Sequence, residues 1–400
     1  MLPLGVWAAA VAGFAAPLSA SWCATDGYAD DDFISFGASA YLNMRNDPGR
    51  VQVFAAAIQQ RLRGREGELV VLDIGTGPEA LLALIAARAG AKKVYAVEVQ
   101  PAVAEGARRA VREASDVPEG CIEVIEGFST ELELPELADL LVAEIVGNVA
   151  SSEGIYATMH DAQQRLLRAP YEPSSYIPLV VETLAAPMSY VQHHPALSPA
   201  GFDWEGVRAL APPPRLSTEA SAVHALSEPQ PLERLRFDAP LPPPGSVVES
   251  SLTFPLCAAR MAASAAACEA ALAADDALAM PAEAAAGIAA EVGSSVSGLG
   301  LWPRLIMDEE ASLVVETRGS DGRPRRSCWE LLLPLLCGTP MRVAAGDALR
   351  MDATVRLGAA IDDPVYYEVQ GRRVEPPPTA AAPSTPSDAQ EELTGATQAT

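Results

Sequence analysis

Two glutamates nine positions apart are the first candidates for chemistry. Glu144 and Glu153 bracket the run Ile145-Val146-Gly147-Asn148-Val149-Ala150-Ser151-Ser152, a loop that Gly147 makes pliable. A pair of carboxylates on one loop suits a flat cation, because a guanidinium can be gripped along two edges by charge-assisted hydrogen bonds. An arginine side chain stays protonated at neutral pH, so its nitrogens are poor nucleophiles. Such a clamp would hold it, localise its charge and aim one nitrogen lone pair. The other reading of Glu153 is that it caps the helix beginning after it, where an acid is favoured.

Upstream, Val70-Val71-Leu72-Asp73-Ile74-Gly75-Thr76-Gly77-Pro78 reads as a strand feeding a glycine turn before a helix. Glycines at such a turn permit tight winding and close approach of a ligand. Glu98 closes the next strand, where an acid can accept both hydroxyls of a ribose. Dinucleotide enzymes share that logic, but here Ala80 stands where a third glycine would be. The pattern D-x-G-x-G, followed by an acid ending the second strand, resembles that of class I S-adenosylmethionine methyltransferases rather than that of oxidoreductases. S-adenosylmethionine has no pyrophosphate, so a helix N-terminus tuned for phosphate is unnecessary. Its adenosine and amino-acid ends call for hydrogen-bonding acids and a cation.

Several elements must position these groups. Val51, Phe54, Ile58 and Leu62 recur at helical spacing across 51–63. Four β-like runs follow, Leu69–Leu72, Val94–Val97, Ile122–Ile125 and Leu140–Ala143. Helices are expected from Pro78 to about Ala89, with Gly90 as a stop, and from Pro101, a favoured first-turn residue. Alternating strands and helices imply right-handed crossovers and a parallel sheet. A further helix follows Glu153, on Ile155, Met159, Ala162 and Leu166. Near Pro178 the character changes to short apolar runs bounded by Pro and Gly: Leu179–Leu184, Leu252–Leu256, Ser312–Thr317, Leu331–Leu336 and Tyr366–Val369. These predict a β-rich second domain. The Ala-rich stretch 257–292 reads as a helical insertion on it.

The glutamate pair, at this spacing after the fourth strand, resembles the double-glutamate loop of the protein arginine methyltransferases. Further matches extend the resemblance over most of the chain. Tyr41-Leu42-Asn43-Met44-Arg45-Asn46-Asp47-Pro48-Gly49-Arg50 is similar to the family's segment before the core, with M-x-x-D-x-x-R in register. Gly298-Leu299-Gly300-Leu301-Trp302 and Ser327-Cys328-Trp329 are similar to landmarks of its β domain, the second to its T-H-W loop. The resemblance implies a Rossmann-like methyltransferase domain (31–180) followed by a β-barrel-like domain (181–374) with the helical insertion, an α/β architecture overall. It implies S-adenosyl-L-methionine as cofactor and an Arg-rich protein substrate, with methyl transfer to a guanidino nitrogen. Glu144 and Glu153 would be the catalytic clamp. Arg50, Asp73, Gly75, Gly77, Glu98 and Thr130 would bind the cofactor, Arg50 by its methionine carboxylate and Thr130 by its adenine. Met44 would pack beside the reacting guanidinium, and Trp329 would lie on the loop that approaches it. A homodimer is the family's usual assembly, with 257–292 as a candidate arm.

The chain departs from the pattern at three places. Cys328 and Ser327 replace the usual His and Thr, which removes the histidine commonly paired with the loop acids, and Glu79 replaces a glycine of the cofactor turn. Glu79 would add an acid near the cofactor's amino-acid end or else face solvent. The Ser129-Thr130-Glu131 segment, the Ala138–Glu144 strand and the stretch from Ser327 to Pro334 are closer to the monomethylating and symmetric branches than to the asymmetric one. Two other functions remain open: a methyltransferase for a small molecule or another side chain, and a scaffold that keeps the fold without activity. A neutral acceptor would not need two facing acids, and a scaffold could fail to bind the cofactor.

Bulk properties set outer bounds. The chain's 400 residues are 49% apolar and 20% charged, with a formal net charge of −24, which predicts two domains with sizeable cores. The charge argues against direct nucleic-acid binding, since phosphate contacts need clustered Lys and Arg. It suits basic partners, although solubility alone also accounts for it. Six scattered cysteines without a C-x-x-C pair fit neither a disulfide framework nor a zinc site. Four histidines, including only the adjacent pair His193-His194, offer no metal-ligand spacing. Residues 1–30 read as an apolar leader, with targeting, weak anchoring and disorder all open. No Lys or Arg precedes Arg45, so the charged start of a secretory signal is missing, and a membrane partner is not expected. The expected location is cytoplasm or nucleus, with organellar targeting left open. The tail 375–400 is predicted to be disordered.

Overall fold

The computed structural model describes residues 18–24, 36–209, 213–218, 222–274, 280–318, 325–361 and 363–374. Its first half runs β1 (Leu18–Cys23), α1 (Ala38–Arg45), α2 (Pro48–Leu62), β2 (Val70–Ile74), α3 (Leu81–Arg88), β3 (Lys93–Glu98), α4 (Pro101–Glu113), β4 (Ile122–Glu126), β5 (Leu140–Ala143), α5 (Ile155–Arg165) and β6 (Tyr176–Ile177). Five of these strands form one sheet in the order β4-β3-β2-β5-β6, every neighbouring pair parallel. All residues of the central strands β2 and β5 are buried. Strands covered on both faces need such unbroken apolar runs, which is why Val70-Val71-Leu72 and Leu140-Leu141-Val142 do not alternate with polar residues. In α2, Pro48 takes the first helical position and the Asp47 carboxylate accepts from the Arg50 N–H, so the helix start is fixed by two local signals.

The register brings the chemistry to one edge. Ile74 pairs with Ala143 and with Val97. Gly75, Glu98 and Glu144 therefore all leave the sheet at its carboxyl ends, where open α/β sheets bind ligands.

The second half continues with β7 (Val180–Tyr190), α6 (Trp204–Arg208), β8 (Arg215–Ser217), β9 (Val223–Ala225), β10 (Gln230–Arg236), β11 (Val247–Pro255), α7 (Ala258–Ala274), α8 (Ala282–Gly293), β12 (Ser295–Val296), β13 (Gly298–Ile306), β14 (Val314–Glu316), β15 (Glu330–Leu332), β16 (Met341–Arg342), β17 (Ala348–Arg356) and β18 (Tyr366–Val374). These strands make two larger antiparallel sheets, one along the path β10-β7-β13-β15-β8 and one in the order β1-β18-β17-β11. Their inner faces share one core with the parallel domain, running from Phe54 and Leu72 to Phe254 and Tyr367. α7 and α8 close a smaller apolar cluster around Cys268, Leu272 and Val292. The insertion is thus a helix pair rather than a single helix.

One boundary differs from the sequence reading. Leu18–Cys23 is not part of a leader but the edge strand of the second sheet, paired antiparallel with β18 from Leu18 opposite Gly371 to Cys23 opposite Tyr366. Its Trp22 stacks on Tyr367 at 5.1 Å between ring centroids. The apolar character of the segment reflects this burial, which a search for targeting signals cannot separate from a leader. Residues 1–17 and the tail 375–400 lie outside the described residues. No helix among the described residues is long and apolar enough to cross a membrane.

Candidate active site

A cavity of about 550 Å³ lies over the carboxyl edge of the parallel sheet, within the range of small-molecule sites. Its wall comprises the glycine turn (Gly75 to Glu79), Glu98, both loop glutamates, Met44 and Arg50 from the segment around α1 and α2, and Ser327 to Glu330 from the second domain. Residues far apart in sequence meet here because the ends of β2, β3 and β5 share one edge and the segment around α1 and α2 and the second domain close over it.

Gly75 sits at φ +77°, and a Cβ there would come within 2.6 Å of the Ile145 side chain. Only glycine lets β2 and β5 release their turns side by side. Asp73, one step deeper, accepts from the Thr76 hydroxyl at 2.6 Å, and burial pushes its carboxyl up to about 7. The Glu98 carboxylate accepts from the Gly77 and Gln100 N–H groups at 3.1 and 3.0 Å. Burial nevertheless holds it above the usual carboxylate range.

The two acids share this cavity and differ in surroundings. Glu144 forms an ion pair with the Arg50 guanidinium, whose other terminal nitrogen donates to the Met44 carbonyl at 3.1 Å. Burial alone would lower Arg50, but Glu144 holds it above its ordinary value. Glu153 accepts no cap bond: Gly154 occupies the cap position of α5, and the carboxylate faces the cavity. Burial and the neighbouring charge of Glu144 push Glu153 up to about 8. A buried carboxyl held up by the charge of a neighbouring acid is poised to share a cation with it.

Between them the loop is tightly constrained. A Cβ on Gly147 would lie 1.9 Å from the Ser152 hydroxyl and 3.3 Å from the Glu153 side chain. The second domain grips the loop: the Trp329 indole donates to the Val146 carbonyl at 2.5 Å, and the Glu330 N–H donates to the Asn148 amide oxygen at 2.7 Å. Asp47 ties the same segment to α2, accepting from the Cys328 N–H at 2.9 Å.

Four buried polar atoms around this cavity have no hydrogen-bond partner: Arg50 Nε, Asp73 Oδ1, Ser129 Oγ and Thr158 Oγ1. Orphaned buried polar atoms are uncommon, and a ring of them around one cavity is what a polar ligand would satisfy. A cation near the amino-acid end, acids beneath a ribose and hydroxyls further along fit an adenosyl amino acid. Among the described residues no group of His, Cys, Asp and Glu could hold a metal ion.

No family model matches the chain. A curated relative, the protein arginine N-methyltransferase PRMT10 of Arabidopsis thaliana, is 36% identical over 126 residues, a stretch that covers 32% of this chain and 32% of that protein. This chain is related to the protein arginine methyltransferases. The match spans about a third of the relative's length. The fold agrees over far more. The solved structure of Arabidopsis thaliana protein arginine methyltransferase 10 superposes with a TM-score of 0.55 at 16% identity, covering 86% of this chain and 99% of that one. The Trypanosoma brucei PRMT1 enzyme-prozyme heterotetrameric complex with AdoHcy gives 0.54 at 18% identity, covering 86% and 100%.

Against the family resemblance, the structure brings together Arg50, Gly75, Gly77, Glu98, Glu144, Glu153, Met44 and Trp329, with Asp73 just beneath. Thr130 is the exception. It lines a neighbouring cavity with Glu131 and His160, and Ser129 takes the place on the main wall. The chain turns tightly here, with Glu131 N–H donating to the Phe128 carbonyl, and the turn carries Ser129 and Thr130 to different cavities. Glu79 lies half-exposed on the cavity wall, paired at 2.7 Å with Arg45. Cys328 lies against Glu144, Arg50 and Asp47, and burial pushes its thiol well above the ordinary value, so it stays neutral and brings no charge where the methyltransferase family commonly has a histidine. Sequence reasoning missed Asp47 as a clamp, Thr158, and Tyr41, whose ring lines the cavity and would lie 3.6 Å from a Cβ placed on Gly77. Asp47 had a legible signal, an acid directly before Pro48 at a helix start.

Proposed function

We propose that this protein transfers a methyl group from S-adenosyl-L-methionine to a guanidino nitrogen of arginine in protein substrates. The observation that carries the reading is the pair Glu144 and Glu153 facing one cavity with the glycine turn and Glu98. When bound, the cofactor supplies an electrophilic sulfonium methyl. Arg50 would meet its carboxylate through a planar fork, Glu98 its ribose hydroxyls, and Ser129 and Thr158 the adenine end.

The protein's own task is then alignment. Glu144 and Glu153 hold the substrate guanidinium in the plane that aims one nitrogen at the methyl group. Alignment of this kind lowers a barrier by roughly 7–11 kcal/mol. Glu153, whose carboxyl titrates near 8, is the better placed of the two to accept the proton released on transfer. Arg50 neutralises Glu144 before the substrate cation arrives. The acidic surface, with a formal net charge of −24, favours Arg-rich chains as substrates. The helix pair α7–α8 is the proposed dimerisation arm. Cytoplasm or nucleus, where Arg-rich proteins are abundant, is the proposed location.

Two measurements test the reading together. Calorimetric titration should show binding of the demethylated cofactor product, and labelled cofactor should transfer label to a Gly-Arg repeat peptide. Glu144→Gln should bind the product as wild type does and transfer label roughly 10²–10³-fold more slowly. Cofactor binding without transfer by the wild type would favour the inactive scaffold, for which the neutral Cys328 thiol is the specific argument.

A further inference from the structure

The loop between the two glutamates is held on its other side by a buried polar relay in the second domain. The Ala150 N–H donates to the Thr183 hydroxyl at 2.8 Å, and Thr183 donates its own proton to Glu233 Oε2 at 2.8 Å. Ser151 and Tyr367 hydroxyls lie 2.8 Å apart, and Tyr367 donates to the same Glu233 oxygen at 2.8 Å. Ser151, Thr183, Glu233 and Tyr367 are all at most 2% exposed.

The direction of these bonds follows from proton counting. A hydroxyl has one proton and two lone pairs. Both Thr183 and Tyr367 direct that proton to the Glu233 carboxylate, which leaves each with lone pairs turned to the loop. Thr183 accepts from Ala150, and Tyr367 lies against the Ser151 hydroxyl, which also reaches Glu233 itself. A single acceptor thus fixes the polarity of two arms, and both arms end within three residues of Glu153. Trp22 of β1 stacks on the Tyr367 ring and holds the phenol in this place.

We propose that Glu233, Tyr367 and Thr183 are positioning residues that set the height of Glu153 over the cavity, an inference that rests on the methyl-transfer reading above. The Trp329 segment fixes the first half of the loop at Val146 and Asn148, and this relay fixes the second half at Ala150 and Ser151. Neither set of contacts reaches the cofactor turn.

The test compares Tyr367→Phe, Thr183→Val and Thr183→Ser in the full chain. Tyr367→Phe keeps the ring and its stack but removes the phenol from the Ser151 hydroxyl, leaving Ser151 only its direct contact with Glu233, and Thr183→Val leaves the Ala150 N–H without its acceptor. Each should lower kcat for a Gly-Arg repeat peptide about tenfold or more, with the dissociation constant of the demethylated cofactor product within twofold of wild type. Thr183→Ser retains the hydroxyl and should restore kcat to within threefold. Amide hydrogen exchange over 149–152 should accelerate about tenfold in the two damaging variants. If Tyr367→Phe fails to fold, Ser151→Ala removes the same bond from the loop side. Wild-type kcat and wild-type exchange in folded Tyr367→Phe or Ser151→Ala would overturn the proposal. A wild type that methylates nothing would instead sink the arginine reading, and the exchange comparison would still decide whether the relay orders the loop.

Discussion

The two acids of the clamp are chemically unequal, and that inequality gives the sharpest expectations. Glu144 is paired with Arg50, whereas at Glu153 burial and the charge of Glu144 outweigh the opposing pull of Arg50. Glu144→Gln removes half of the charged grip without touching the glycine turn. Turnover should fall by roughly 10²–10³-fold, the scale of losing one preorganised electrostatic contact, with product affinity unchanged in calorimetry. Equal loss of both would contradict the assigned role. The pH dependence follows from the sign of the Glu153 shift. Its carboxyl rises from 4.5 to about 8 on folding, so the folded state holds the proton more tightly than the unfolded chain. The stability it contributes is complete below pH 4.5 and is lost as pH rises toward 8. Glu153→Gln should therefore raise Tm by a few degrees at pH 9 and by less at pH 5, in paired thermal melts. In kinetics, kcat/KM of the wild type should climb with pH through the free enzyme's titration, since the clamp needs an ionised Glu153. A flat profile from pH 6 to 9 would speak against the clamp.

At the scale of elements, the double-glutamate loop is the part with least tolerance. A Cβ at Gly147 would occupy the place of the Ser152 hydroxyl, so Gly147→Ala must displace the loop. Methyl transfer should drop at least 100-fold while Tm falls by only a few degrees, because β5 and α5 on either side are packed independently in the core. A variant with near wild-type kcat would show that the loop is not rigid in the way described. The elements around it were legible where a single local rule decides the outcome. The parallel strands were readable as unbroken apolar runs, Leu140–Ala143 to the residue, and the α2 start by its Asp47-Pro48 pair. Thr130 was misplaced because sequence spacing says nothing about which way a side chain leaves a tight turn. The relay through Thr183, Glu233 and Tyr367 had no sequence signal at all, since its members are brought together by β7, β10 and β18 crossing under one loop.

At the scale of the molecule, the second domain is completed from the far end of the chain. β1 pairs with β18, so the strand nearest the start and the one nearest the end of the described chain share a sheet. The apolar composition of 18–23 was readable; its partner strand at 366–371 was not, because antiparallel register is set by tertiary packing. The acidic surface acts at this scale as well. With a formal net charge of −24, capture of a cationic peptide should depend on screening. KM for a Gly-Arg repeat peptide should rise about tenfold between 20 and 300 mM salt, with kcat within twofold, whereas a neutral small-molecule acceptor would show no such split. The central claim is that Glu144 and Glu153 hold arginine for methylation. Its most direct test is fragmentation mass spectrometry of a Gly-Arg repeat peptide after incubation with methyl-labelled cofactor. Label on a guanidino nitrogen with the wild type, accumulating roughly 10²–10³-fold more slowly with Glu144→Gln, is the expected result. Label on any other atom, or equal labelling by the two proteins, would contradict it.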